Sequence, residues 1–301
     1  MPTKNPRYKH PQTDSKTSKK PQDSSQNLLQ NHSQNPPKTS HKALQNLLQN
    51  FSQNNSQDSL IIYGKQILLS IITHHSDKIE QIYLSKDIDK ATFAYLKSAN
   101  KPIIKIDNKK AQALARGGNH QGFLASISPL TPLSLKEIKQ YDKIIVLCGL
   151  NDMGNIGGIF RSAYCLGVDA IILADSFSDF ATKLTAKSAQ KFATITRSSV
   201  GAAFDMPFCI VPSALEIISE LKEAGFMLLG TAPQGENIKD FRESKNYQKN
   251  KWALFLGSEE NGLCAKITKK FDKILSVKMH RDFNSLNVSV AAGIVMSYLL
   301  N

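Results

Sequence analysis

The sequence predicts an α/β protein made of two folded parts behind a polar N-terminal segment. From Leu60 onward, short apolar runs alternate with helical patterns, which is typical of an α/β fold. Pro129 and Pro132 interrupt this alternation and indicate a linker between two domains. The strands of the second part are apolar at consecutive positions, which favours a largely parallel sheet with helices on both faces.

Residues 1–57 differ in composition from the rest of the chain. They are rich in Lys, Asn, Gln, Ser and Pro, and their only apolar groupings are formed by Leu28, Leu29, Leu44, Leu47 and Leu48. Such a segment cannot bury enough apolar surface to offset the entropy that it would lose on folding. We therefore expect a disordered, basic, low-complexity tail over residues 1–57.

Residues 58–130 are predicted to form a small α/β domain. Its strands are expected at residues 60–62, 81–84, 102–106 and 122–127, and its helices at residues 65–74 and 91–99. A linker is expected over residues 131–142, because the next strand begins only at Lys143.

Residues 143–301 continue the alternation as a C-terminal domain. Strands are predicted at residues 143–148, 170–173, 194–196, 208–211, 226–230, 252–256 and 273–277, and helices at 156–166, 214–224 and 286–300. Ligands of such sheets bind beyond the carboxyl ends of the strands. The loops at residues 149–158, 257–262 and 281–287 are therefore the candidate functional loops.

The charge balance favours a polyanionic partner. The formal net charge is +13, and residues 1–57 carry eight Lys or Arg against two Asp, which leaves +7 on the remainder of the chain. Lys and Arg that meet phosphates release condensed counterions, so a basic chain of this kind suits RNA or DNA. The alternative explanation is a generally Lys-rich proteome.

Targeting, membrane and metal signals are weak. No apolar stretch follows the basic residues at the start of the sequence, so we expect a cytoplasmic protein. The apolar segment 288–300 is shorter than the roughly 20 residues needed to cross a bilayer. Four scattered cysteines lack the paired spacing of a metal site, and their apolar neighbours predict buried, reduced and unligated thiols: Cys148, Cys165, Cys209 and Cys264.

The last predicted helix carries small side chains at every fourth position. Ser289, Gly293 and Ser297 lie on one face and allow the close approach of another backbone. Packing within one subunit and a dimer interface both explain this spacing.

The loop at residues 149–158 is rich in glycine and precedes a helix. Glycines allow a ligand to approach the backbone, and the helix N-terminus favours an anion. The loop is not a G-x-G-x-x-G fingerprint, and the sequence contains no P-loop. The sequence therefore does not favour an enzyme that uses NAD or ATP. Arg161 comes after this loop and has mainly apolar neighbours in the sequence. A charged side chain in such surroundings needs a partner, either a carboxylate or a substrate.

The other two loops also carry polar residues. Glu259 lies between Gly257 and Gly262, where it would hold a substrate, pair with Arg161 or form an exposed turn. Ser285 or Asn287 would cap the last helix.

Taken in order, these motifs resemble a known family. Asn155 and Arg161, then LGSE at residues 256–259 with Gly262, then SLNVSVA at residues 285–291 are similar to the three motifs of the SpoU, or TrmH-like, class of SPOUT RNA ribose methyltransferases. IYGKQ at residues 62–66 and HQGFLA at residues 120–125 resemble the substrate-binding domain of the branch that modifies a guanosine of large-subunit ribosomal RNA. One departure is Asp152-Met153-Gly154, where the family usually has Asp-Pro before the Asn.

The resemblance implies a fold, a cofactor and partners. It implies a C-terminal SPOUT domain with a trefoil knot, a smaller ribosomal protein L30e-like substrate-binding domain and a homodimer formed through the C-terminal domains. S-adenosylmethionine would be the methyl donor, without a metal. The substrate would be a guanosine of 23S ribosomal RNA; transfer RNA, or RNA binding without catalysis, is the alternative.

The resemblance also implies roles for individual residues. The donor would be bound by Gly257, Val277 and Leu286, with Thr231 as a further candidate. Arg161 would be the catalytic arginine. The supporting residues would be Asn155, Glu259, Ser285 and Asn287.

Overall fold

The computed structural model describes residues 59–177, 186–244, 251–258, 260–279, 281 and 286–301. These residues all belong to one compact unit of the chain. The predicted disordered tail, residues 1–57, lies outside the described residues.

The N-terminal domain is built on a four-stranded mixed sheet with the order β1-β4-β2-β3, in which β4 is antiparallel to both neighbours and β2 is parallel to β3. Its elements are β1 (Leu60–Tyr63), α1 (Lys65–His74), β2 (Ile79–Leu84), α2 (Lys90–Ser98), β3 (Ile103–Lys105), α3 (Asn108–Leu114) and β4 (Phe123–Ile127). Asp89 and Asp107 cap α2 and α3, each accepting a backbone N–H three residues later at 2.8 Å. The helix α3 was absent from the sequence prediction.

The C-terminal domain is built on a six-stranded parallel sheet with the order β10-β8-β9-β5-β6-β7. Its elements are β5 (Lys143–Cys148), α5 (Met153–Leu166), β6 (Ala170–Ala174), α6 (Ala186–Ser198), β7 (Phe208–Val211), α7 (Ala214–Glu223), β8 (Met227–Asn237), α8 (Ile238–Glu243), β9 (Trp252–Leu256), α9 (Ala265–Thr268), β10 (Lys273–Ser276) and α10 (Val288–Leu300). The central strands β6 and β9 are buried throughout, as expected for a sheet covered on both faces.

The predicted strand at residues 194–196 is wrong, because these residues lie within α6. The β-branched run is only three residues long, whereas buried side chains recur at helical spacing at Ser188, Phe192, Ile195 and Ser199. The helix packs against α5, where the Ser198 hydroxyl donates to the Met153 carbonyl at 3.1 Å. Burial on one helical face outweighs the weak local preference for a strand.

The predicted linker contains a short helix, α4 (Leu135–Ile138). Ser134 caps this helix and forms a capping box with Glu137, whose side chain accepts the Ser134 backbone N–H at 2.8 Å. Hydrogen bonds from Ser134 lower the pKa of the Glu137 carboxyl. The domain boundaries at residues 58, 131 and 143 stay a prediction.

The two domains share a buried interface. Apolar residues from both sheets belong to one continuous hydrophobic cluster. At its margin, the Arg197 guanidinium lies 4.4 Å from the centroid of the Tyr63 ring, and His75 lies 3.3 Å from the Asp205 carboxylate. The N-terminal domain therefore has a defined position against α6 and the turn that follows it.

Two of the four cysteines depart from expectation. All four thiols are free, but Cys165 and Cys264 are exposed, whereas Cys148 and Cys209 are buried. Cys165 lies beside the exposed Tyr164 on the solvent face of α5, whereas Ala163 is buried. Burial raises the pKa of the Cys209 thiol to about 12. None of the described helices is long and apolar enough to span a bilayer.

Candidate active site at the carboxyl edge of the C-terminal sheet

The direction of the strand order reverses between β5 and β9. The strands β6 and β7 extend the sheet on one side of β5, and β9, β8 and β10 extend it on the other. A crevice forms beyond the carboxyl ends of parallel strands at such a switch point, and ligands bind there. The loop after β5 and the loop after β9 contain the first and second predicted motifs, so both border this crevice.

The first motif is positioned by the start of α5. The Asp152 side chain caps the helix by accepting the backbone N–H of Asn155 at 2.7 Å. The helix consequently begins at Met153, earlier than the predicted residue 156. This cap orders the segment that has Met153-Gly154 where the family usually has proline. Sequence reasoning missed the role of Asp152, although an Asp before a helical pattern is a recognised capping signal.

The third motif is positioned by the start of α10. Asn287 caps this helix, and its Oδ1 accepts the backbone N–H of Ser289 at 2.9 Å and that of Val290 at 3.4 Å. The predicted capping role of Asn287 is confirmed. Ser285 lies outside the described residues.

Asn155 and Asn287 contact each other directly. The Asn287 Nδ2 donates to the Asn155 Oδ1 at 2.9 Å, although 132 positions separate the two residues. Helices α5 and α10 pack together behind this contact. Two predicted site residues from the first and third motifs are thereby brought to one place.

Arg161 is exposed on α5. Its neighbours Ile159, Phe160 and Ala163 are buried, because they lie on the opposite side of the helix from the guanidinium. The expected carboxylate partner is not found: within the described ranges, Arg161 forms neither a hydrogen bond nor an ion pair. Arg161 lies six residues after Asn155, about 9 Å farther along the helix axis. Among the described residues, nothing holds its guanidinium away from a substrate.

The second motif forms a tight turn after β9. Ser258 and Gly262 pair across the turn, and the Gly262 N–H donates to the Ser258 carbonyl at 2.8 Å. The returning chain passes directly over Gly257, where a Cβ atom would lie 2.2 Å from the Gly262 carbonyl carbon. Glycine is therefore required at residue 257 for this turn to close. Glu259 lies outside the described residues.

The strand β8 contains an excursion that the sequence did not reveal. Ile274 pairs with Gly230, whereas the next residue of β10, Leu275, pairs with Glu236, so residues 231–235 leave the ladder. Thr231 begins this excursion and is half-buried. Gly230 pairs with Phe255 of the adjacent strand, so Thr231, inside β8, lies level with the end of β9 and close to Gly257.

The two remaining predicted residues are partly buried. Val277 directly follows β10 and packs against the main hydrophobic cluster. Leu286 directly precedes the cap residue Asn287. Apolar side chains beside turn backbone suit an adenine ring and an alkyl sulfonium, so these residues fit S-adenosylmethionine.

Burial keeps the Cys148 thiol at this edge of the sheet protonated. Cys148 ends β5 at this edge, and burial, with a smaller contribution from the Asp175 carboxylate, raises the pKa of its thiol far above the ordinary range. No group of three or more His, Cys, Asp or Glu side chains arranged to hold a metal ion occurs in the part of the chain that the structure describes.

Comparison with known proteins assigns the chain to a family. The model of the SpoU rRNA methylase family matches residues 142–297, and the model for RNA 2'-O ribose methyltransferase substrate binding matches residues 61–133. The chain belongs to the SpoU rRNA methylase family. The resemblance expected from the three SpoU motifs and from the N-terminal domain is confirmed.

Individual SpoU relatives cover most of the chain. A Staphylococcus epidermidis protein assigned to the TrmH family of tRNA/rRNA methyltransferases is 29% identical over 250 residues, which are 80% of this chain and 94% of that protein. The 23S rRNA (guanosine-2'-O-)-methyltransferase RlmB of Vibrio cholerae is 27% identical over 246 residues, which are 78% and 94% of the two chains.

A solved SpoU structure has the same fold. The SpoU methyltransferase AviRb of Streptomyces viridochromogenes, in complex with AdoMet, superimposes with a TM-score of 0.61 at 22% identity, over 86% of this chain and 96% of that one. The predicted α/β SPOUT fold class is confirmed. The trefoil knot stays a prediction, because residues 282–285, which precede α10, lie outside the described residues.

Proposed function

We propose that this chain is an S-adenosylmethionine-dependent RNA 2'-O-methyltransferase and that its substrate is a guanosine of 23S ribosomal RNA. The observation that carries the proposal is the Asn287–Asn155 contact, which joins two SpoU motifs at the start of the helix that presents Arg161. The SpoU family match supports the reaction class. The likeness to RlmB supports the guanosine and 23S ribosomal RNA.

The proposed mechanism places the methyl donor beside Gly257, Val277, Leu286 and Thr231. When bound, S-adenosylmethionine supplies an electrophilic methyl group. Asn155 and Asn287 hold the start of α5 in place, so that the ribose 2'-oxygen is aligned for in-line attack. As the new C–O bond forms, the sulfonium–methyl bond would break to leave a neutral thioether, and the 2'-oxygen would lose its proton to a base or to water.

Arg161 acts on the substrate in this mechanism. A guanidinium stays charged at neutral pH, which makes it a poor base. Its planar fork instead holds the phosphate beside the target ribose and stabilises negative charge that develops on the 2'-oxygen. Glu259 is proposed to orient Arg161 or the substrate, and Ser285 to shape the pocket.

Mapping of ribose methylation tests the substrate. RNA from a deletion strain is compared with RNA from its parent at single-nucleotide resolution, for both ribosomal and transfer RNA. We expect the loss of one 2'-O-methylguanosine from 23S ribosomal RNA and its return when the gene is restored. Loss of a 2'-O-methyl group from transfer RNA alone would make transfer RNA the substrate in place of ribosomal RNA. Unchanged methylation maps of both RNAs would end the methyltransferase proposal.

RNA binding without catalysis is the alternative, motivated by the basic tail and by the altered segment before Asn155. Asp152 caps α5 in that segment, which favours the enzyme. We also propose that the protein acts in the cytoplasm, where ribosomal RNA is modified.

We propose a homodimer formed through α5 and α10. Val290 is 50% exposed, Tyr298 is 41% exposed and Tyr164 is 49% exposed, so two helices that pack together, α5 and α10, each present apolar side chains that a second copy would cover. Gly293 faces open space, whereas Ser289 lies against Gly158 within the same subunit. Of the small residues on this face of α10, Ser289 packs within one subunit, and Gly293 is available to the proposed interface. Light scattering of the wild-type protein and of Val290→Arg tests this proposal, with a monomeric variant expected.

A further inference from the structure

Ser198, the last residue of α6, contacts the helix that carries the first SpoU motif. Its Oγ lies 3.1 Å from the Met153 carbonyl oxygen, in the first turn of α5. It also lies 2.8 Å from the Thr194 carbonyl oxygen and 3.4 Å from the Ile195 carbonyl oxygen, both within α6. A serine hydroxyl has one proton, which these three carbonyls share. Of the three bonds, the one to Met153 joins the two helices.

Gly157 allows α6 to come this close to α5. It lies one turn after Met153 and is buried. A Cβ atom on Gly157 would lie 2.8 Å from the Ile195 carbonyl oxygen and still closer to the Ser198 Oγ. A side chain at residue 157 would therefore push the helices apart and break the bond between Ser198 and Met153. The hydroxyl and the glycine together define the crossing of α5 and α6.

The turn that Ser198 contacts is the turn that carries Asn155. The Asn155 backbone N–H donates to the Asp152 carboxylate at 2.7 Å, and its side chain accepts a hydrogen bond from Asn287 at 2.9 Å. Asp152 thus holds this turn from its own N-terminus, and Asn287 holds it from α10. Ser198 holds the same turn from a third direction, that of α6.

The end of α6 is itself held by the N-terminal domain. The Arg197 guanidinium, one residue before Ser198, lies 4.4 Å from the centroid of the Tyr63 ring. Two residues after Ser198, the Val200 carbonyl accepts a hydrogen bond from the Ser70 hydroxyl at 3.2 Å. A group can fix the position of another group when it is fixed itself, and these contacts on both sides of Ser198 in the chain meet that condition.

We propose that Ser198 is a positioning residue for methyl transfer, whose hydroxyl holds the first turn of α5 and thereby sets the placement of Asn155 and Arg161 against the target ribose. Because α5 is continuous from Met153 to Leu166, a shift of its first turn also moves Arg161. Small displacements of this kind lower the rate of an aligned attack. Ser198 acts through α5 and contacts neither the RNA nor the methyl donor. This inference rests on the proposed function, since it adds a residue to the same site.

The experiment compares Ser198→Ala with the matched control Thr194→Ala in the full chain. Thr194 lies one turn earlier on α6, and its hydroxyl donates to the Gln190 carbonyl of the same helix at 3.0 Å. Among the bonds of the described residues, Ser198→Ala removes one that reaches α5, whereas Thr194→Ala removes one inside α6. Alanine favours a helix more than serine or threonine does, so both variants should fold and keep at least the wild-type Tm.

Steady-state methyl transfer to 23S ribosomal RNA transcribed in vitro separates placement from binding. Ser198→Ala should lower kcat by about fivefold, as expected for the loss of one neutral hydrogen bond, with KM for RNA and for S-adenosylmethionine within about twofold of the wild type. Thr194→Ala should match the wild type. A wild-type kcat in Ser198→Ala, an equal loss in Thr194→Ala, or a loss of kcat that is accompanied by a lower Tm would overturn the proposal.

Hydrogen exchange provides a readout that needs no turnover. The exchange rates of the backbone amides at residues 155–157 are measured by nuclear magnetic resonance in the wild type and in both variants. Exchange should be about fivefold faster in Ser198→Ala and unchanged in Thr194→Ala. Equal rates in all three proteins would refute the role of Ser198. A wild type that transfers no methyl group would end the proposed function, and the exchange rates would still decide whether Ser198 holds α5.

Discussion

Arg161 shows how a side chain becomes available for chemistry. It is carried by a helix whose other face is buried, and it is exposed without a partner among the described residues. An exposed guanidinium that no described residue engages is a candidate for electrostatic stabilisation of a transition state.

The prediction for Arg161 separates chemistry from donor binding. Arg161→Ala should lower methyl transfer by about a hundredfold or more, the range seen when one preorganised charge-stabilising donor is lost. Affinity for S-adenosylmethionine, measured by calorimetry, should stay within about twofold. Arg161→Lys keeps the charge without the planar fork and should recover part of the rate. Full turnover in the alanine variant would show that Arg161 is not catalytic.

Asn287 has two functions that can be separated by substitution. Its Oδ1 caps α10 and its Nδ2 donates to Asn155. Asn287→Ala should lower the free energy of unfolding by about 1 kcal/mol through loss of the cap. Asn287→Asp keeps the cap acceptor but replaces the donor, so thermal stability should remain while methyl transfer falls. An aspartate variant with wild-type activity would contradict a role for the contact with Asn155.

At the scale of elements, turns and strand ends shape the proposed donor site. The turn at residues 257–262 folds back onto its first residue, and residues 231–235 leave the sheet ladder one strand away. Both features are set by the path of the backbone, so the shape of the site does not follow from its side chains alone. Substitutions that add a Cβ atom at these close approaches should therefore lower stability and weaken S-adenosylmethionine binding.

Gly257→Ala tests this view. The added Cβ would lie 2.2 Å from the Gly262 carbonyl carbon, so the turn must shift. We expect a loss of about 1–3 kcal/mol in the free energy of unfolding and weaker S-adenosylmethionine binding. Gly293→Ala, made in the monomeric Val290→Arg background, is the stability control, because no described atom of the same subunit lies within 4 Å of its added Cβ, and it should hold or raise Tm. Comparable behaviour of the two variants would contradict the close approach at Gly257.

At the scale of the whole molecule, a continuous hydrophobic cluster joins the two domains. Residues of the N-terminal domain lie directly against the turn after α6, and the Ile71 Cγ1 would be 3.5 Å from a Cβ atom on Gly201. A shared core of this kind favours a single cooperative unfolding transition.

Ile71→Ala tests the coupling between the domains. Ile71 is 0% exposed, and its truncation should cost about 2–5 kcal/mol. The fluorescence of Trp252, the one tryptophan in the chain, reports on the C-terminal sheet. In the Ile71→Ala variant, the urea midpoint reported by Trp252 fluorescence should fall by the same amount as the midpoint reported by circular dichroism. A Trp252 midpoint that stays at the wild-type value would show that the domains unfold independently.

Local patterns alone determined most of the elements and several site residues. The strands at residues 143–148, 208–211 and 252–256 and the helix at 65–74 were predicted at their observed bounds. Apolar runs and caps act over a few residues, so they can be read from the sequence. The SpoU motifs likewise lie within short segments, which is why the family was recognisable.

Other features were decided only by tertiary structure. The helix over residues 194–196, the excursion in β8 and the Asn155–Asn287 contact each depend on residues far apart in the chain. The exposure of Arg161 likewise depends on which face of α5 meets the core. Packing between distant segments determines such features, because burial of a whole face outweighs the weak preferences of a few neighbouring residues.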